Sequence, residues 1–297
     1  MSTSRFVLVT GATGQQGGSV VQALLARGHR VRGLTRNTKA ASAQRLAAQG
    51  VDVVAGDFTD QASLVRAATG VDAIYAMSTP FEQGMDAETA QGVAITEAAR
   101  QAGVGHLVYS SVANADRETG IPHFDSKYAV EKAVRASGVP FTISAPVFFM
   151  DNFLQPWMGL DPAAGTLSMA VPATRALQQI AVADIGAFAA ALIERREAVF
   201  GHRYDIAGDE LTGDETAAVF SKVTGRSIAY HGFSPDAMRA HSEDMAIMFE
   251  WFDTTGYSAD IAALRRDFPE VAWHDLAGWA AGQDWSVLDA SLSTAGA

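Results

Sequence analysis

The sequence predicts an α/β fold, a Rossmann-like doubly wound parallel β-sheet with a smaller, mostly helical C-terminal lobe. Three observations carry this prediction. An apolar run, Phe6–Val9, breaks into Thr10-Gly11-Ala12-Thr13-Gly14-Gln15-Gln16-Gly17-Gly18 and resumes with the helical spacing Val20, Val21, Leu24, Leu25. That is a strand, a glycine turn and a helix. Strand and helix patterns then alternate as far as residue 144, which implies right-handed βαβ crossovers and a parallel sheet. Finally, the first fifty-one residues hold seven Arg and Lys and no acid, in a chain of 297 residues with net charge −11. This local positive excess marks the first turn and the second strand as a place for an anion.

Taken in order, the first turn offers Gly11, Gly14 and Gly17, with Thr13, Gln15 and Gln16 between them. Bare glycine backbone lets a pyrophosphate approach N–H groups, and the helix N-terminus adds partial positive charge. The spacing is G-x-x-G-x-x-G, and no Lys followed by Ser or Thr is present, so an ATP-binding P-loop is excluded. On spacing alone, a plain tight turn fits as well. The second strand, 29–35, leads to Arg36-Asn37-Thr38-Lys39, where an NAD-binding chain carries an acid for the ribose 2′-hydroxyl. Arg36 instead presents a planar fork suited to a 2′-phosphate, with Lys39 as a second charge. The predicted cofactor is therefore NADP(H). Solvated surface charges are the plainer alternative.

The third strand, 51–55, ends at Gly56-Asp57-Phe58, and a helix over 61–68 leads to a strand at 73–77 followed by Ser78-Thr79-Pro80. A helix over 86–101, the strand Leu107–Ser110, a helix over 126–136 and a strand at 141–144 complete the alternation. Ligands of such sheets sit beyond the carboxyl ends of the strands, so Gly11, Gly14, Gly17, Arg36, Asp57, Phe58, Ser78, Thr79, Ser110 and Ser111 are expected around one crevice. Asp57 and Phe58 are placed to bracket an adenine, the acid accepting from its amino group. A strand-end turn with a core aromatic is the alternative.

Composition narrows the function classes. The chain has no cysteine, which excludes disulfides, thiolate metal sites and cysteine nucleophiles. Its seven His show no H-x-x-x-H pair, so no metal site is expected. No apolar stretch approaches the roughly eighteen residues of a membrane span, and no signal peptide is visible, so a cytoplasmic protein without membrane contact is expected. The acidic total argues against nucleic acid as a partner.

Beyond these readings, the chain resembles the NmrA-like branch of the atypical short-chain dehydrogenase/reductases. The resemblance rests on Thr-Gly-x-x-Gly-x-x-Gly, Leu34-Thr35-Arg36-Asn37, Gly56-Asp57, Tyr109-Ser110-Ser111, and His123-Phe124-Asp125-Ser126-Lys127 followed by Glu131. Gly138-Val139-Pro140-Phe141-Thr142, the stretch 180–186, and Tyr204-Asp205-Ile206-Ala207-Gly208 before Leu211-Thr212 extend it along nearly the whole chain. It implies a Rossmann-like fold and NADP. For activity it implies two alternatives: NADPH-dependent reduction of quinones, dyes, isoflavonoids or other unsaturated small molecules, or a non-catalytic redox sensor acting on a regulatory protein. The short form His-Phe-Asp-x-Lys looks especially like the sensors.

In the wider superfamily a Tyr-x-x-x-Lys pair holds the nicotinamide ribose and donates the proton. Here Lys127 stands four residues after His123, so both can face one crevice. Lys127 is thus the expected ribose-binding and catalytic lysine, with His123 or solvent as proton donor and Ser111 orienting a substrate carbonyl or a ribose. Asp125 or Ser126 is expected to cap the helix, leaving Lys127 at a helix start that disfavours a cation unless a ligand rewards it. Tyr128-Ala129-Val130-Glu131-Lys132 also spells Tyr-x-x-x-Lys, but Tyr128 lies about 100° around the helix from Lys127. We read it as a decoy. Epimerisation with transient oxidation is a weaker alternative that wants the missing Tyr.

The predicted domain division is 1–150 as the NADP-binding domain, with 178–206 returning to it, and 151–177 plus 207–297 as a lobe over the nicotinamide end. Aromatics between Phe148 and Trp157 suit a substrate pocket wall or core. Asp184 is the expected N-cap of the returning helix. The run Met245 to Phe252 suggests an adaptable apolar surface over the pocket or at a partner interface. Residues 291–297 are expected to be disordered, and a monomer or homodimer fits the chain.

Overall fold

The computed structural model describes residues 4–80, 83–240, 242–286 and 288; the tail over 291–297 lies outside them. Two compact units share the chain: Met1–Pro146 with Val182–Asp205 and Arg266–Ala272, and Val147–Ala181 with Ile206–Arg265 and Trp273–Ala297.

The first unit begins as the apolar periods dictate. β1 (Phe6–Val9), α1 (Gln15–Ala26), β2 (Arg30–Thr35), α2 (Ala41–Ala48), β3 (Asp52–Ala55), α3 (Gln61–Ala68), β4 (Ala73–Ala76), α4 (Met85–Gln101), β5 (Leu107–Ser110), α5 (Pro122–Ala136) and β6 (Phe141–Pro146) alternate without exception. Every residue of β4 and β5 is buried, as strands covered on both faces must be. The strands from β3 to β6 pair in parallel. Within the second unit follow β7 (Phe148–Phe149), β8 (Leu160–Asp161), β9 (Thr166–Met169) and β10 (Ala176–Ile180). α6 (Val182–Arg195) and β11 (Arg203–Ile206) then return to the first sheet, whose order is β11-β6-β5-β4-β1-β2-β3. The order reverses at β1, which lies between β2 and β4, and this switch point opens a crevice beyond the carboxyl ends of β1 and β4.

Two helix starts differ from the sequence reading. α5 begins at Pro122, with the proline in its first turn, and no side chain caps it. Proline's fixed φ suits that position, where its missing N–H costs nothing. Neither Asp125 nor Ser126 is therefore a cap, and Lys127 stands in the second turn. α6 starts at Val182, so Asp184 belongs to its first turn instead of capping it.

A glycine fixes how α4 lies against α5. A Cβ on Gly92 would meet both γ-carbons of Val130 at 2.5 Å, so only glycine allows this approach. One turn earlier on each helix, the Thr89 hydroxyl donates to the Ser126 carbonyl at 3.4 Å.

The second unit carries two three-stranded sheets, completed by β12 (Asp209–Thr212) and β13 (Ala229–Gly232). Its helices are α7 (Gly213–Thr224), α8 (Asp236–Arg239), α9 (Glu243–Thr254), α10 (Ile261–Asp267, which runs on past this unit's boundary) and α11 (Leu276–Ala281). Thr212 and Glu215 form a reciprocal capping box on α7. Phe153, Phe220, Trp285 and Trp279 meet in a chain of aromatic contacts. The Met245 to Phe252 run forms α9, and Ala246, Met248, Phe249 and Phe252 are buried. These four are core, which corrects the expectation of an apolar surface along the whole run.

Candidate cofactor and active site

The first turn is built by backbone contacts. Gly11 has φ +62°, and its carbonyl accepts from the Gly14 N–H at 2.9 Å. Gly14 is the N-cap of α1, in extended conformation, with no side-chain cap and no acid in the turn that follows. The N–H groups of Gln15, Gln16 and Gly17 thus head a twelve-residue helix without an internal partner. A Cβ on Gly17 would sit 2.3 Å from the Gly11 carbonyl oxygen, so the turn closes only over glycine. An uncapped helix start with bare backbone and no acid fits a pyrophosphate.

A groove of about 690 Å³ runs from this turn along the strand ends, a size suited to a bound small molecule. Gly11, Thr13, Gly14, Arg36, Asp57, Phe58, Ser78 and Thr79 all line it, as expected from their strand-end positions. The sequence reading placed Thr35 and Asn37 beside Arg36, and they line it too. The Thr59 backbone N–H and hydroxyl, at 2.8 and 2.7 Å, hold the Asp57 carboxyl below its ordinary range, and the charge of Arg36 adds to this.

Eight of the expected residues, Gln15, Gln16, Gly17, Lys39, Ser110, Ser111, His123 and Lys127, are not in the groove wall. Gln15 is exposed outside it. Lys39 is exposed, and its backbone N–H donates to Asn37 Oδ1 at 3.0 Å. Gly17 is buried beneath the turn. Gln16 points into the sheet, where its amide donates to Tyr75 Oη at 2.9 Å and Ser110 Oγ at 2.6 Å. The reason is helical spacing, since Gln16 shares a face with Val20 and Leu24. Ser111 is buried and donates to Glu131 Oε1 at 2.5 Å. Glu131 in turn accepts from Arg203 Nε at 3.1 and 3.2 Å. The Ser111 hydroxyl is spent on this ionic network, not on the groove.

Lys127 is bonded to the groove wall without lining it. Its Nζ donates to the carbonyl of Ser78, a wall residue, at 3.2 Å, and to Glu88 Oε1 at 2.6 Å. His123, one turn earlier, is buried with its ring edge on Phe124 at 4.8 Å between centroids. Tyr128 and Lys132 turn towards each other, the ammonium 5.1 Å from the ring centre.

Two further residues belong to the site without standing in any of the sequence motifs. Met77 lines the groove beside Gly11, and Glu88 partners Lys127. Glu88 carried a legible signal: with Gly92, Ile95 and Ala99 it occupies the buried stripe of α4, where a carboxylate has no ordinary place.

Comparison with known proteins agrees with this architecture. The chain is 34% identical over 237 residues to a (4-alkanoyl-5-oxo-2,5-dihydrofuran-3-yl)methyl phosphate reductase of Streptomyces griseus, covering 78% of this chain and 79% of that one. It is 30% identical over 236 residues to Quinone oxidoreductase 2 of Escherichia coli, covering 77% and 78%. A solved NADPH-dependent quinone oxidoreductase from Escherichia coli, complexed with NADPH, superposes with a TM-score of 0.77 at 26% identity over 93% of this chain and 98% of that one. The model of the NmrA-like family matches residues 3–280, and this chain belongs to that family.

Proposed function

We propose that this protein is an NADPH-dependent oxidoreductase that reduces a small, fairly apolar carbonyl, quinone or activated alkene. The observation that carries the reading is the groove with Arg36 at one end and the Lys127 ammonium behind Ser78 in its wall. The similarity to a quinone oxidoreductase and to a (4-alkanoyl-5-oxo-2,5-dihydrofuran-3-yl)methyl phosphate reductase, each over more than three quarters of the chain, supports the same class.

When bound, NADPH supplies a hydride. The remaining work belongs to the chain. The first-turn N–H groups of α1 take the pyrophosphate, and the Arg36 fork takes the 2′-phosphate. Asp57 and Phe58 stand at the adenine position. Lys127 donates to a ribose hydroxyl, and His123 or solvent delivers the proton that follows the hydride.

The test is consumption of NADPH against a panel of quinones, azo dyes, aldehydes and enones. Turnover on at least one acceptor class is expected. Tight NADPH binding with no turnover on any acceptor overturns the proposal and favours a non-catalytic sensor.

A further inference from the structure

Glu88 is a carboxylate with no exposed side-chain surface. Burying such a charge is costly unless it is paired and its oxygens are satisfied. Both oxygens are used: Oε1 accepts from Lys127 Nζ at 2.6 Å, and Oε2 accepts from Ser126 Oγ at 2.5 Å. The residue also stands in the first turn of α4, where the helix dipole favours an anion.

The lysine's remaining capacity indicates what the pair is for. An ammonium has three donors. Two are committed, to Glu88 and to the Ser78 carbonyl, and the third has no protein partner among the described residues. The lysine side chain is 15% exposed, so one edge of it remains open. The Ser78 hydroxyl is buried as well, with the Tyr109 phenol within its electrostatic reach.

We propose that Glu88 is a positioning residue for Lys127, holding its ammonium turned so that the third N–H is presented to the cofactor ribose. The proposal rests on the reading of Lys127 as a cofactor contact. A purely structural ion pair between α4 and α5 would affect stability without affecting how cofactor binding depends on pH.

Other titratable groups face the pair from each element packed on it. From β5 comes Tyr109, whose phenol is pushed far up by burial, with the charges of Glu88 and Glu131 adding to it. On α5, His123 lies one turn before Lys127, and Glu131 is bound to Arg203. On α4, Asp86 is exposed. Removing the Glu88 carboxylate leaves a mostly buried ammonium without its adjacent counter-charge, which favours its neutral form.

The experiment is equilibrium binding of NADPH to the full-length protein from about pH 7 to about pH 9. It is run on wild type, Glu88→Gln, Glu88→Asp and Lys127→Ala. Wild-type affinity is expected to stay flat. Glu88→Gln is expected to lose about tenfold more affinity at the alkaline end than at neutral pH, one unit of lysine titration. Glu88→Asp keeps the charge but withdraws it by one methylene, so its loss is expected at every pH alike. A flat Glu88→Gln profile at wild-type affinity overturns the proposal. Should Glu88→Gln not fold, Glu88→Asp decides: a uniform loss supports the proposal, and wild-type affinity overturns it. Lys127→Ala separates the two levels of the argument. If it binds NADPH as wild type does, the reading of Lys127 fails; if it binds weakly while the Glu88 variants match wild type, only the positioning role fails. Protection of Lys127 from an amine-reactive reagent by NADPH gives a second readout independent of turnover.

Discussion

Replacing Gly17 with Ala tests whether the first turn is the phosphate cradle, because the structure supplies its own control one residue away. The new Cβ would meet the Gly11 carbonyl at 2.3 Å to oxygen and 2.5 Å to carbon, and the Thr10 carbonyl oxygen at 2.8 Å. All three contacts are backbone, so no rotamer relieves them. The nearest lies more than an ångström inside ordinary contact, and the Gly11 carbonyl that must yield also accepts the Gly14 N–H that shapes the turn. Overpacking of this kind costs about 1–3 kcal/mol, and losing the turn hydrogen bond adds about 1 kcal/mol. Gly18→Ala places its Cβ 3.6 Å from its nearest neighbour, an ordinary contact. Helix propensity then stabilises it by up to about 1 kcal/mol. Urea unfolding and NADPH fluorescence titration should therefore show Gly17→Ala less stable and at least about tenfold weaker in binding, about 1.4 kcal/mol, with Gly18→Ala close to wild type in both. Equal behaviour of the two variants would mean that the first turn is not the phosphate cradle.

Three further outcomes are expected. Arg36→Ala should weaken NADPH much more than NADH, because only the former carries the 2′-phosphate; equal loss for both contradicts the assignment. Tyr128→Phe should leave kcat/KM where it was, since Tyr128 faces Lys132; a large drop in kcat would restore the rival Tyr-x-x-x-Lys register. His106 predicts an acid-side loss of stability. The Thr142 hydroxyl donates to the Val199 carbonyl at 2.9 Å, so it must accept from His106 Nε2–H, also at 2.9 Å, which leaves the buried Nδ1 unprotonated and without a partner. Burial, helped by the charge of Arg196, pulls its pKa down to about 3. The unfolded chain then binds the proton first, so this contribution is fully present above about pH 6.5 and is lost as pH falls towards the folded value, at up to about 1.4 kcal/mol per pH unit. His106→Leu should remove that slope in urea titrations between these limits, and an unchanged slope would contradict it.

Much of the fold was legible because several strands of the first sheet are short apolar runs, as at Phe6–Val9 and Leu107–Ser110. The groove wall was legible for the same reason, since strand-end residues of a doubly wound sheet converge on one crevice. Polar side chains on buried helix stripes were not. Gln16 reads as a turn donor until its spacing to Val20 and Leu24 is weighed, and Glu88 reads as solvated until Gly92 and Ile95 are placed on its face. Ser111 reads as a ligand contact because nothing local reveals Arg203, more than ninety residues away, anchoring Glu131 beside it. The start of α5 was misplaced although Pro122 marked it, because Asp125 and Ser126 offered a competing cap.

If reduction by NADPH occurs at Lys127, steady-state reduction of a responsive acceptor by wild type and Lys127→Ala, with NADPH held saturating for each, must distinguish the two proteins. Wild type is expected to turn over, and Lys127→Ala to lose kcat even when fully loaded with NADPH. Undiminished kcat in Lys127→Ala would contradict that assignment.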